Sequence, residues 1–218
     1  MLDRTASPPA PPNRSGDSAR RIVGRSFGRA LPAYHPAMER SEAHAFAHER
    51  CLKETTYRHL ISVEGVMRSL ARRFDEDPDL GGLTGLFHDL DQDHTGDDGS
   101  QHAILAAEWL RAAGVDERVV NGVLAHAYAG YRTDLMSRAV VHADAVAGLL
   151  VAAALVRPEK ATGMKVSSVK KKLKEKSFAP GVNRDEVLDV EATIGLPLDE
   201  FLAVSIQGLQ EVAPEINL

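Results

Sequence analysis

Apolar residues recur at helical spacing through most of the chain beyond Met38. Residues 57–74 place Leu60, Val63, Met67 and Leu70 on one face, the recurrence of an amphipathic helix. Asp77-Pro78 opens a shorter segment with Leu80, Leu83, Leu86 and Phe87 at the same spacing. Residues 89–100 form a polar, acidic loop with Gly96 and Gly99. The pattern resumes over 101–113 with Ile104, Leu105, Trp109 and Leu110, and Gly114 stops it. Asp116 can cap a helix carrying Val119, Val120, Val123 and Leu124, and Asp134 can cap another that runs to about Val156. Two short helices, 185–194 and 198–212, close the chain and are separated by Gly195 and Pro197. The predicted fold class is all-α, a helical bundle.

Residues 1–36 differ. They hold Pro8, Pro9, Pro11, Pro12, Pro32 and Pro36, and six arginines against Asp3 and Asp17. So little apolar surface cannot build a core, and a disordered tail is expected ahead of one domain over 37–218. An Arg-rich transit peptide at 20–31 is a poor fit because prolines and acids precede it, and no secretory signal is visible, so a cytoplasmic protein is expected. The net charge of −5 argues against a general nucleic-acid coat. A single cysteine, Cys51, excludes an internal disulfide framework and a Cys-based zinc site. The apolar run 139–156 is interrupted by His142 and Asp144, and what remains uninterrupted is too short to cross about 30 Å of hydrocarbon, so a central core helix is expected and no membrane.

Nine histidines make spacing the next question. His88-Asp89 ends an apolar helical stretch and opens the acidic loop. Neighbours on a helix point about 100° apart, so both can reach one ion only near a helix end. Alone, the pair reads as a helix-end histidine followed by an aspartate turn. Two further residues change this. His59 lies on the inward side of the first core helix, and Asp144 sits inside the apolar run. A buried, unpaired carboxylate costs several kcal/mol and needs a cation or strong donors. A divalent ion held by His59, His88, Asp89 and Asp144 would supply one. Imidazole and carboxylate suit Mn, Fe, Co or Zn, with positions left open for water.

The order His, His-Asp, distant Asp resembles the HD-domain superfamily of metal-dependent phosphohydrolases, over about residues 57–156. The stretches 155–158 and 166–183 further resemble a bacterial subgroup known only as predicted HD hydrolases. The resemblance implies a bundle of core helices with one or two metal ions between them. It also implies a second ion at His102 and His126 with Asp89 as bridge, similar to the diadenosine-polyphosphate hydrolases and the diiron oxygenases of the family. Helix-terminal histidines satisfied by backbone are the alternative. Many relatives continue His-Asp with Ile-Gly-Lys, where this chain has Leu90-Asp91-Gln92, so their phosphate-binding lysine is missing. Asp91 and Asp93 are instead close to the expected ions, where one could orient or deprotonate water. Asp89, Asp91 and Asp93 are therefore the candidate catalytic carboxylates, with solvated loop acids as the alternative for the last two. His44 and His48 read as surface histidines, and His35, His94 and His142 receive no role.

Seven of the eight lysines lie in 160–176. A flexible cationic flap beside a metal site would attract phosphates, which makes Lys170, Lys171, Lys172 and Arg157 the candidate substrate-binding groups. A solvated face and nucleic-acid binding are the rival uses, and the second lacks interleaved aromatics apart from Phe178. The expected function is a metal-dependent phosphohydrolase acting on a small phosphorylated molecule, with a nucleotide as the leading substrate. A diiron oxygenase and a non-catalytic, metal-stabilised binding module are the alternatives.

Overall fold

A computed structural model describes residues 38–95 and 99–218. The tail expected at 1–36 lies outside the described residues, as does part of the acidic loop. The described residues form helices and no strand. In chain order these are α1 (Arg40–Arg50), α2 (Glu54–Arg73), α3 (Pro78–Phe87), α4 (Gln92–Thr95), α5 (Ile104–Ala112), α6 (Glu117–Ala127), α7 (Leu135–Leu155), α8 (Val166–Lys174), α9 (Arg184–Leu188), α10 (Val190–Ile194) and α11 (Leu198–Val212).

Local chemistry sets the boundaries. Asp77 accepts from the backbone N–H of Asp79, with Pro78 in the first turn of α3. Asp116 accepts from Arg118 at the start of α6. Asp134 and Ser137 exchange hydrogen bonds at the start of α7 as a capping box. Gly195, at φ 72°, ends α10 in the left-handed region that glycine adopts without strain. The helix expected over 185–194 is broken at Asp189 into α9 and α10, and a four-residue helix, α4, interrupts the expected acidic loop.

The bundle is arranged around α2 and α7. Helix α2 packs on α3, α7 and α11, and α7 also touches α6, α8, α9 and α10. By length and composition α7 could cross a membrane, but 67% of its most apolar window is buried inside the bundle, the environment of a core helix.

Small residues set how closely the helices approach. A Cβ added at Gly65 of α2 or Gly208 of α11 would overlap the other's carbonyl oxygen. On α3, a Cβ at Gly81 would lie 2.9 Å from Ala71 Cβ and 3.0 Å from Met67 O, and one at Gly85 would lie 2.6 Å from Val63 O. A Cβ at Gly122 of α6 would meet Thr84 of α3 at 2.5 Å. Helices α2, α3 and α6 therefore touch backbone to backbone or backbone to short side chain.

Helix α1 is held by charge. Glu64 is 1% exposed. Its carboxylate accepts from Arg40 Nε at 2.7 Å, Arg68 Nε at 2.9 Å and His44 Nε2 at 2.7 Å. Burial pushes its pKa up, but His44, Arg40 and Arg68 outweigh that and hold it at about 2. His44 is thus a network residue and not the surface histidine expected from sequence, and its ring also contacts the Tyr57 hydroxyl at 3.1 Å.

Two outcomes follow. The Glu64 contribution is fully present above its ordinary carboxylate pKa of 4.5 and is lost as pH falls through about 2. Glu64→Gln should therefore cost about 3 kcal/mol near neutrality and progressively less toward pH 2, measured by urea unfolding. An equal cost at both pH values would contradict this. Gly85→Ala should cost about 1–3 kcal/mol by the same method. Gly130→Ala, with open space around the added carbon, should change little.

Candidate metal centre

The glycine contacts determine where the imidazoles fall. Along the α2–α3 pair the contacts run Met67 with Gly81 and Val63 with Gly85. One turn further, His59 and His88 meet with ring centroids 5.1 Å apart. Along α3 and α6 the contact is Thr84 with Gly122. One turn further, the rings of His88 and His126 lie 4.8 Å apart. Helix α3 ends at Phe87, so His88 is its C-cap and Asp89 follows in the turn. That end geometry lets two adjacent side chains face one centre.

His88 is fully buried and Nδ1 donates to Gly85 O at 2.8 Å. Its Nε2 lies 3.7 Å from both Asp89 Oδ2 and Asp144 Oδ1. His59 Nε2 is 3.0 Å from Asp144 Oδ1. On the other side of Asp89, the Nε2 atoms of His102 and His126 lie 3.2 and 3.1 Å from Oδ1. The two oxygens of Asp89 thus face two different sets of imidazoles.

Short distances here do not amount to hydrogen bonds. His88 Nε2, Asp89 Oδ1 and His126 Nδ1 are buried atoms without a hydrogen-bond partner. Leaving such atoms unpaired is costly in a protein interior. Three overlapping groups, His59–His88–Asp89, His88–His126–Asp144 and Asp89–His102–His126, each bring ligand atoms within 4.8 Å of one another. Four imidazoles and two carboxylates could hold one or two divalent transition ions, and these residues fit that group by geometry and by their unpaired atoms.

Electrostatics point the same way. Burial pushes Asp89 and Asp144 up, but His88, His126 and His102 around Asp89, and His59, His88 and His126 around Asp144, hold both carboxyls well below the usual range. Burial lowers His102, yet Asp89 and Asp91 outweigh it and push the imidazole up to about 10. The cluster is negative enough to retain positive charge.

The other candidates fall elsewhere. Asp91 is fully buried; Oδ1 accepts from His102 Nδ1 at 3.0 Å and Oδ2 from Ala106 N at 3.0 Å. Both oxygens are engaged, which corrects the expectation that it handles a water. Asp93 accepts from Leu52 N, Lys53 N and Thr56 Oγ1, each at 2.9 Å. It ties α4 to the start of α2 and is not brought into the cluster. His102 lies in the turn before α5, which begins at Ile104 and not at 101 as expected.

The cationic flap is corrected as well. Residues 166–174 are an ordered helix with Val169 and Leu173 buried. Lys170 Nζ pairs with Asp199 at 2.5 Å. Lys172 pairs with Glu175 at 3.3 Å and lies 4.3 Å from the Phe178 ring centroid, while Lys171 is exposed. Arg157 donates to the carbonyls of Lys160 and Thr162, both at 2.9 Å. Among the described residues, none of these recorded partners is a member of the His/Asp cluster. Arg184 is spent on the carbonyls of Leu173, Glu175, Phe178, Ala179 and Val182.

One residue at the site has no signal in the sequence. Arg132, in the α6–α7 connection, donates to Ala125 O at 3.0 Å and to His126 O at 3.4 Å. It closes the end of α6 through the backbone carbonyls of Ala125 and His126. A loop arginine between Tyr131 and Thr133 belongs to no periodic pattern, so its carbonyl partners are visible only in the fold.

Residues 56–149 match the family model of the HD domain. This segment, an HD domain, contains all six clustered His and Asp residues. No curated protein and no solved structure matches the chain.

Purified protein should carry a divalent transition metal, and His88→Ala or Asp89→Ala should lose it. Elemental analysis giving the same content for wild type and both variants would contradict the assignment.

Proposed function

We propose that the chain hydrolyses small phosphorylated molecules, nucleotides first among them, at a carboxylate-bridged pair of divalent ions. The observation that carries this reading is the convergence of His59, His88, Asp89, His102, His126 and Asp144 with buried, unpaired ligand atoms at its centre. His59, His88 and Asp144 would hold one ion and His102 and His126 the other, with Asp89 placed to serve both. Ions bound there lower the pKa of a coordinated water and polarise a phosphoryl oxygen. His88, bonded through Nδ1 to Gly85 O, keeps Nε2 directed at the carboxylates. The side chains of His59 and Asp144 are 28% and 27% exposed, against 0% for His88, so substrate enters on their side. With Lys170 and Arg157 engaged elsewhere, negative charge on the phosphoryl group is met at the ions and not by a basic flap. Nucleotide is the preferred class because the six-residue arrangement resembles that of dinuclear nucleotide hydrolases.

The same placement of His102 and His126 favours one second reading, a diiron oxygenase using the same residues.

The test loads the protein anaerobically with Mn²⁺ or Fe²⁺ and follows phosphate or nucleotide release from a nucleotide panel. Metal-dependent hydrolysis is expected, reduced at least about 100-fold in Asp89→Ala. Replacing Lys170, Lys171 and Lys172 together with Gln should leave KM unchanged. Absence of hydrolysis in metal-loaded protein across the panel would overturn the reading, and dioxygen uptake without hydrolysis would replace it with the oxygenase.

A further inference from the structure

We infer that Asp91 is the positioning residue for the second ion: it fixes His102 so that Nε2 faces Asp89. The inference rests on the two-ion reading above and adds a role for a residue that touches neither ion.

Three observations lead to it. First, a carboxylate can only accept, so Asp91 Oδ1 at 3.0 Å from His102 Nδ1 requires the proton on Nδ1. With Nδ1 committed to Asp91, Nε2 on the opposite side of the ring, 3.2 Å from Asp89 Oδ1, is the nitrogen that gives up its proton when an ion binds. A histidine whose remote nitrogen is bonded to a carboxylate is held in one tautomer and one orientation for metal binding.

Second, His102 has no regular structure to hold it. It precedes α5 in a turn, and Ala103 behind it sits in the left-handed region at φ 66°, ψ −20°. A non-glycine residue is strained there and persists only where the surroundings enforce it. Ala103 is also the N-cap of α5 and has no side-chain oxygen to offer. Asp91 Oδ2 supplies the missing cap from across the loop, accepting from Ala106 N at 3.0 Å. One fully buried carboxylate thus secures the helix start and the histidine two residues before it.

Third, the other five clustered residues have supports of their own. His59, His126 and Asp144 stand within α2, α6 and α7, and His88 and Asp89 follow directly from α3. Of these six, His102 is the one that neither lies within a helix nor directly follows one. In sequence, Asp91 stands two residues after Asp89, where the relatives with Ile-Gly-Lys carry glycine, which cannot make this bond.

The experiment is a Mn²⁺ titration of the full chain, read by calorimetry for stoichiometry and by electron paramagnetic resonance for the spectrum of a coupled Mn pair. Wild type should bind two ions and show the coupled spectrum. Asp91→Ala should weaken the second ion about 10–100-fold, abolish the coupled spectrum at stoichiometric metal and keep the first ion. His102→Ala should do the same. Combining the two should weaken the second ion no further than His102→Ala alone, because Asp91 acts through that ring. Asp91→Asn, which can accept from only one of the two donors, should fall between. If Asp91→Ala lowers the melting temperature but retains two tightly bound, coupled ions, the residue is only a helix cap and the inference fails while the two-ion reading stands. If wild type itself binds a single ion, both fail.

Discussion

The site depends on how closely three helices are allowed to approach. Gly81 and Gly85 let α3 lie against the backbone of α2, and Gly122 lets α6 lie against Thr84. Because the helices share a pitch, a contact fixed at one level fixes the next level one turn away. His59 with His88 and His88 with His126 fall at that next level. A side chain larger than hydrogen at Gly85 would lift α3 and separate the imidazoles. Helix α7, mostly buried within the bundle, completes the arrangement by carrying Asp144 into the same space.

The bundle contains two carboxylate centres with opposite solutions, one buried and one partly open to solvent. Glu64 is saturated by Arg40, Arg68 and His44, and its job ends with docking α1. Asp89 and Asp144 are surrounded by imidazoles instead, and some of the facing atoms remain unpaired. Guanidinium neutralises a carboxylate permanently, whereas imidazole can turn a lone pair toward an ion. The first centre has the donor set of a static clamp and the second that of a ligand sphere.

Much of this was legible in the sequence. The periodicity around Leu60, Val63 and Met67, the caps Asp77, Asp116 and Asp134, and a carboxylate at 144 within an apolar run all report local or one-body properties. The structure puts His59, His88, Asp89 and Asp144 together, and with them His102 and His126, which only the family resemblance implied. What was not legible depends on partners distant in sequence. Asp91 looked like a free loop acid because its partners, His102 and Ala106, are bonded only after α5 folds back. Asp93 looked near the chemistry, yet it ties α4 to the start of α2. The lysines looked like a mobile flap because +6 of charge hides the buried pair Val169 and Leu173 that anchors α8. His44 looked exposed because nothing local announces Glu64 a helix away.

The central claim is that Asp89 stands between two ions. Anomalous diffraction from Mn²⁺-soaked crystals tests it directly. The account predicts two peaks about 3.5–4 Å apart, the usual spacing of a bridged pair, one beside His59, His88 and Asp144 and the other beside His102 and His126, with an Asp89 oxygen on each. A single peak, or two peaks that Asp89 does not join, would contradict it.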